Sequence, residues 1–164
     1  MKNIFRKYSG RSINNIGDNV DKKDFLYCLI HLPFQENTIN KDEDFSLIGR
    51  VFEFAEASNG DVNQFFCDTI LVLFGVPIDF GNKYEDIKDF LIKLSKIPEN
   101  IKVIAGEDNG LYGSFGYPKR LVVTAISKKL AEDNQKIRQL PSRKIVAHKE
   151  LIDKTGSIDN IEII

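Results

Sequence analysis

The chain has 164 residues, 42% of them hydrophobic and 29% charged, with a formal net charge of −1. That length suffices for one domain with a core that needs no staples. The near-neutral balance argues against nucleic acid or an anionic membrane as a partner, and two cysteines, Cys28 and Cys67, are too few for a disulfide framework. No apolar run reaches the ~18 residues of a membrane span. The opening MKNIFRKYSGRS lacks the apolar segment of a secretory signal. A cytoplasmic protein with reduced, buried thiols is the expectation.

Residues 1–20 mix Lys2, Arg6, Lys7 and Arg11 with Gly, Ser and Asn, and read as a flexible basic arm before a domain over 21–164. Phe25 to Leu32 is a near-continuous apolar run closed by Pro33, the pattern of a buried central strand. His31 near its end is either a ligand or base, or simply a strand-end histidine without a sequence neighbour to work with. Asp42-Glu43-Asp44 then places acid at the start of a helix, where the macrodipole favours it. Phe45, Ile48, Phe52 and Ala55 give that helix one apolar face, and Asn59-Gly60 ends it.

Two apolar runs follow, Val62–Phe66 and Ile70–Phe74, bracketed by Gly60 and Gly75 and separated at Cys67-Asp68. They predict a tight hairpin with a carboxylate at its tip. Asp68 has two readings there: a turn residue bonded to nearby amides, or a carboxylate lifted off a rigid sheet toward a metal or phosphate.

Asn82 with Glu85 reads as a capping box for a helix carrying Tyr84, Ile87, Leu91 and Leu94, stopped by Pro98. Ile101–Ala105 is a short strand. The glycine-dense passage Gly106–Gly116 predicts a second hairpin with Leu111–Phe115 as its return strand, since no helix opens after it as a phosphate loop would need. Lys119–Thr124 is extended. Ser127 caps a helix through Ile137, with Ile126, Leu130 and Ile137 inward and Lys128, Lys129, Glu132 and Asp133 outward. Lys144–Ala147 is a strand, His148–Lys154 a short helix and Ile158–Ile164 a last strand. His148 has the same two readings as His31. The order predicts an α/β (α+β) domain: a mixed sheet with helices on one face, ferredoxin-like in topology.

The run from Gly60 through Asp68 to Gly75 and Pro77 resembles the central hairpin of class III nucleotidyl cyclase catalytic domains. Gly113-Ser114-Phe115-Gly116, Arg120 and Thr124 resemble that family's later Gly-x-Ile-Gly, Arg and Tyr-Thr series. The likeness covers about residues 24–152. It implies a ferredoxin-like core that pairs head to tail. In the family, two aspartates of one subunit hold two divalent metals on a nucleoside triphosphate, and an asparagine and an arginine come from the other. The ribose 3′ oxygen attacks the α-phosphate, with the metals neutralising developing charge.

By resemblance, Asp68 falls on the second metal aspartate, while the place of the first offers Ile30-His31-Leu32 and no carboxylate. Gln64 stands at the base-reading lysine and Thr124 at the other base-reading position. Without gaps, Ala131 replaces the asparagine and Gln135 the arginine; with a deletion, Ala125 and Lys129 do. Each lost charge stabiliser should cost at least ~10²-fold in rate.

The resemblance therefore implies a catalytically degenerate cyclase-like domain acting as a regulatory or dimerisation module. Its expected partners are a second copy or a related domain, with a nucleotide as a possible ligand. The alternative is an active cyclase, or half of a heterodimeric one, using Asp68, Thr124 and His31 with Mg²⁺ or Mn²⁺. A ferredoxin-like module unrelated to cyclases is a third reading, and would leave Asp68 a turn residue.

Overall fold

A computed structural model describes residues 20–32, 41–66, 68–79, 81–115 and 122–164, the side chains of 41–45, 64–66, 114–115 and 122–123 excepted. Residues 1–19 of the expected basic arm, Cys67, Gly116, Lys119 and Arg120 lie outside the described residues, and Val20 belongs to the first strand.

The elements run β1 (Val20–His31), α1 (Lys41–Ala57), β2 (Asp61–Phe66), β3 (Thr69–Phe74), α2 (Lys83–Ser95) and β4 (Lys102–Phe115). Then come β5 (Val122–Ile126), α3 (Lys128–Lys136) with a 3₁₀ turn over Ile137–Gln139, β6 (Ile145–Ala147), α4 (Lys149–Thr155) and β7 (Glu162–Ile163). All seven strands form one sheet in the order β2-β3-β1-β4-β6-β7, with β5 paired to β4. The antiparallel β2-β3-β1-β4 portion with α1 and α2 is the expected ferredoxin-like core. Parallel β4–β6 and β6–β7 pairings make the sheet mixed.

β1 is central because both of its faces are covered. Leu26, Cys28 and Ile30 pack under α1, α2 and α4, against Val51, Phe90, Leu91 and Leu151. Phe25, Tyr27 and Leu29 face the other way, against Leu130 and Ile137 of α3 and its 3₁₀ turn. Three helices thus cover one face as expected, and α3 covers part of the other. Burial raises the Cys28 thiol far above its usual range, so it stays protonated and inert.

The hairpin forms where the sequence places it, with a register shift between Val62 and Gln64. The expected second hairpin over 106–116 does not form. Gly106 to Phe115 continue β4, which pairs with β1 from His31↔Lys102 to Val20↔Gly113. Here glycine supplies room rather than a turn. A Cβ on Gly106 would meet Tyr27 Oη at 2.6 Å and His148 Cδ2 at 2.8 Å, and one on Gly110 the Ile126 carbonyl at 2.6 Å.

Three smaller expectations also change. α1 ends with Asn59, not Gly60, in the left-handed region at φ 54°, while Gly60 N–H closes on the Ala55 carbonyl. Asn82 precedes α2 but makes no side-chain cap, whereas Ser127 accepts from Leu130 N–H at 3.0 Å as expected. Ile126 ends β5 and is exposed, so it does not belong to the apolar side of α3. No helix among the described residues is long and apolar enough to cross a membrane.

Candidate functional site

Three elements converge on the hairpin tip. The β1–β3 register sets His31 opposite Thr69, and the β1–β4 register sets His31 opposite Lys102. The Asp68 carbonyl accepts from Leu32 N–H at 2.7 Å, which fixes the tip against the end of β1. The 3₁₀ turn after α3 is anchored by the fully buried Ile137 and presents Arg138 to the same place.

Arg138 grips the Asp68 carboxylate with a two-pronged fork: Nη1 donates to Oδ2 at 2.6 Å and Nη2 to Oδ1 at 2.8 Å. The Thr69 hydroxyl donates to Oδ1 at 3.1 Å. Lys102 Nζ donates to the Arg138 carbonyl at 2.8 Å, holding the turn from behind. Partial burial alone would raise the Asp68 carboxyl, but the bonds from Arg138 and Thr69 outweigh it and hold the group below its usual range. His31 Nδ1 lies 3.6 Å from Asp68 Oδ2, is buried and has no hydrogen-bond partner. Burial, with Lys102 and Arg138 nearby, outweighs the opposing pull of Asp68 and keeps the imidazole below its ordinary pKa.

The other sequence-predicted positions are spread around this centre. Gln64 pairs with Leu71 beside the register shift of β2, and its side chain lies outside the described residues. Thr124 is buried on β5 opposite Gly113, its hydroxyl facing the Ala125 carbonyl at 3.4 Å. Ala131 lines a cavity of about 140 Å³ with Thr69, Leu71, Ala125 and Asn134, one residue removed from Asp68. Gln135 is exposed on α3. The structure thus brings Asp68 and His31 together and sets Ala131 nearby.

Sequence reading missed Arg138. The missed signal is a spacing: Asn134 and Arg138 are four apart, like Ala131 and Gln135, but three residues further along α3 and its 3₁₀ turn.

Asp133, expected outward, is instead 0% exposed. Its Oδ2 accepts from Tyr27 Oη at 2.5 Å and lies 2.6 Å from His148 Nε2. Since an ionised carboxylate only accepts, Nε2 carries the proton. Burial alone would raise this carboxyl too, but the bonds from His148 and Tyr27 hold it low. Burial first, then Asp133 beside it, push the Tyr27 phenol far up, so it remains a donor. His148 and Asp133 border a groove of about 680 Å³ with Lys22, Lys128, Lys129 and Glu150 on its rim. His148 is therefore a partner of a buried network.

The donor set at the hairpin tip does not suit a pair of divalent metals. Among the described residues one carboxylate and one imidazole stand there, the carboxylate is already held by a guanidinium, and Mg²⁺ requires several oxygen ligands.

The fold as a whole is that of class III adenylyl and guanylyl cyclase catalytic domains. The guanylyl cyclase Cya2 superposes with a TM-score of 0.69 at 14% identity, over 84% of this chain and 81% of that one. The adenylyl cyclase CyaB from P. aeruginosa gives 0.67 at 14%, over 82% and 81%. The catalytic core of a rhodopsin-guanylyl cyclase with converted specificity, solved with ATPαS, gives 0.71 at 11%, over 85% of each. No protein-family model matches the sequence. Among curated proteins, the UvrABC system protein B of Aster yellows witches'-broom phytoplasma (strain AYWB) is 24% identical over 156 residues, 90% of this chain. The chain spans about a fifth of that protein, 22% of its length, and at this identity the likeness assigns it no activity.

Proposed function

We propose that this chain is a cyclase-fold module that pairs with a second copy or a related domain and does not form cyclic nucleotide by itself. One observation carries the reading: among the described residues the one carboxylate at the hairpin tip is bound in a fork by Arg138, and the end of β1 brings His31 where the resemblance asks for a second carboxylate. The module then works by presenting its surface to a partner in the cytoplasm. A nucleotide remains among its candidate ligands, since one of the similar domains was solved with ATPαS.

The spacing of Asn134 and Arg138 supports a second reading, in which this chain is one half of a heterodimer. It would offer an asparagine and an arginine to a partner that brings both metal aspartates.

The test is an assay of purified protein with Mn²⁺ and each of the four nucleoside triphosphates, alone and mixed with candidate cyclase-like domains from the same cell. The first reading expects no cyclic nucleotide in any arm, since each missing stabiliser costs at least ~10²-fold. Product only in a mixed arm establishes the heterodimer. Product from the chain alone overturns both readings.

A further inference from the structure

We infer that Arg138 is the resident cation of the hairpin tip and holds Asp68 in the place a metal would take. The inference rests on reading the tip as the remnant of a metal site. A divalent ion would bind Asp68 through Oδ1, Oδ2 or both, and each oxygen already accepts from one guanidinium, at 2.8 and 2.6 Å. The fork matches carboxylate geometry, which a lysine in that place could not do.

The guanidinium is also held from behind. Ile137 beside it is fully buried, and Lys102 Nζ bonds the Arg138 carbonyl at 2.8 Å, so the turn that carries the fork is anchored to the core and to β4. Local charge agrees. Asp68 supplies one negative charge, which Arg138 balances, and Lys102 adds a positive charge nearby. A divalent ion entering beside these two cations would meet net repulsion. Among the described residues, His31 Nδ1 and the Thr69 hydroxyl are the further donors beside the carboxylate, 3.6 Å from Oδ2 and 3.1 Å from Oδ1. The contact also joins the hairpin to the end of α3, 70 residues apart in the chain.

Mn²⁺ titration of ¹⁵N-labelled full-length protein tests this by paramagnetic broadening of amide signals. The wild type should show at most weak selective broadening at Ile30–Leu32 or at Asp68 and Thr69. Arg138→Gln should show it there, with apparent affinity for Mn²⁺ up to about fivefold above wild type, the scale of removing one partly exposed ion-pair competitor. Adding Asp68→Asn to Arg138→Gln should abolish the selective signal. Arg138→Lys keeps the charge without the fork and should fall between. Equal broadening in wild type and Arg138→Gln, or none at the tip in Arg138→Gln, overturns the inference. Cyclic nucleotide from the chain alone would overturn the non-catalytic reading instead, and the broadening series would still judge Arg138.

Discussion

Asp68 and Asp133 are the same residue in two different situations. Asp68 sits at a turn, 23% exposed, and its cation is an arginine that is itself 54% exposed. Asp133 is fully enclosed, with a phenol and an imidazole on one oxygen and Lys136 Nζ 3.7 Å from the other. Both carboxyls are held below their usual range. Solvent takes most of the energy out of the first arrangement, since partly exposed ion pairs contribute ~0–1 kcal/mol. The second carboxylate is 0% exposed, so removing it strands the buried Tyr27 hydroxyl and the His148 imidazole. The tip is therefore a place where residues can be exchanged at little cost to folding, and the Tyr27–Asp133–His148 network is part of what holds α3 on the sheet.

The largest expected effect tests that contrast directly. Asp133→Ala should lower the unfolding free energy by about 3 kcal/mol, and Asp68→Ala by no more than about 1 kcal/mol. Denaturant titration of both variants measures this, and equal losses would mean that burial does not separate the two sites. Next, Gly106→Ala pushes a methyl into the Tyr27 ring and His148, both part of the buried network, and should cost about 2 kcal/mol. Gly49, in the exposed face of α1 with nothing within 4 Å, is the control: Gly49→Ala should stabilise by about 1 kcal/mol. If Gly106→Ala is as harmless as Gly49→Ala, the space around Tyr27 is not tight.

The smallest effect is in the pH dependence. A carboxyl held low in the folded state contributes stability that is complete above its unfolded pKa of about 3.9 and is lost as pH falls through the folded value. Unfolding free energy should therefore decline below about pH 4. Asp133→Asn should flatten that decline more than Asp68→Asn does. The reverse order, in acid titrations of stability, would assign the stronger coupling to the tip.

Parts of this molecule were readable from the chain because their causes are local. The hairpin shows as two apolar runs between glycines, and β1 as an unbroken apolar run because both its faces are buried. Ser127 caps α3 three residues before the amide that it satisfies. β4 misled because glycine in sequence signals a turn, whereas Gly106 is small on account of Tyr27, a residue far away in the chain that lies directly opposite. Asp133 sits among Lys128, Lys129 and Glu132 and looks like one more surface charge. Only the fold reveals the phenol and the imidazole facing it. Arg138 was invisible for the same reason, since its carboxylate partner is 70 residues upstream. The cyclase likeness brought out Asp68 but not what holds it.

The position of β1 has a consequence for how the chain assembles. Among the described strands this one comes first in the chain, yet it lies in the middle of the sheet, and its neighbours β3 and β4 begin only at Thr69 and Lys102. Until they emerge from the ribosome, a strand apolar on both faces lacks both of its native sheet neighbours. Pairings this distant close slowly, and the waiting strand is exposed to association with other chains. The sheet is thus built outward around the segment that has waited longest.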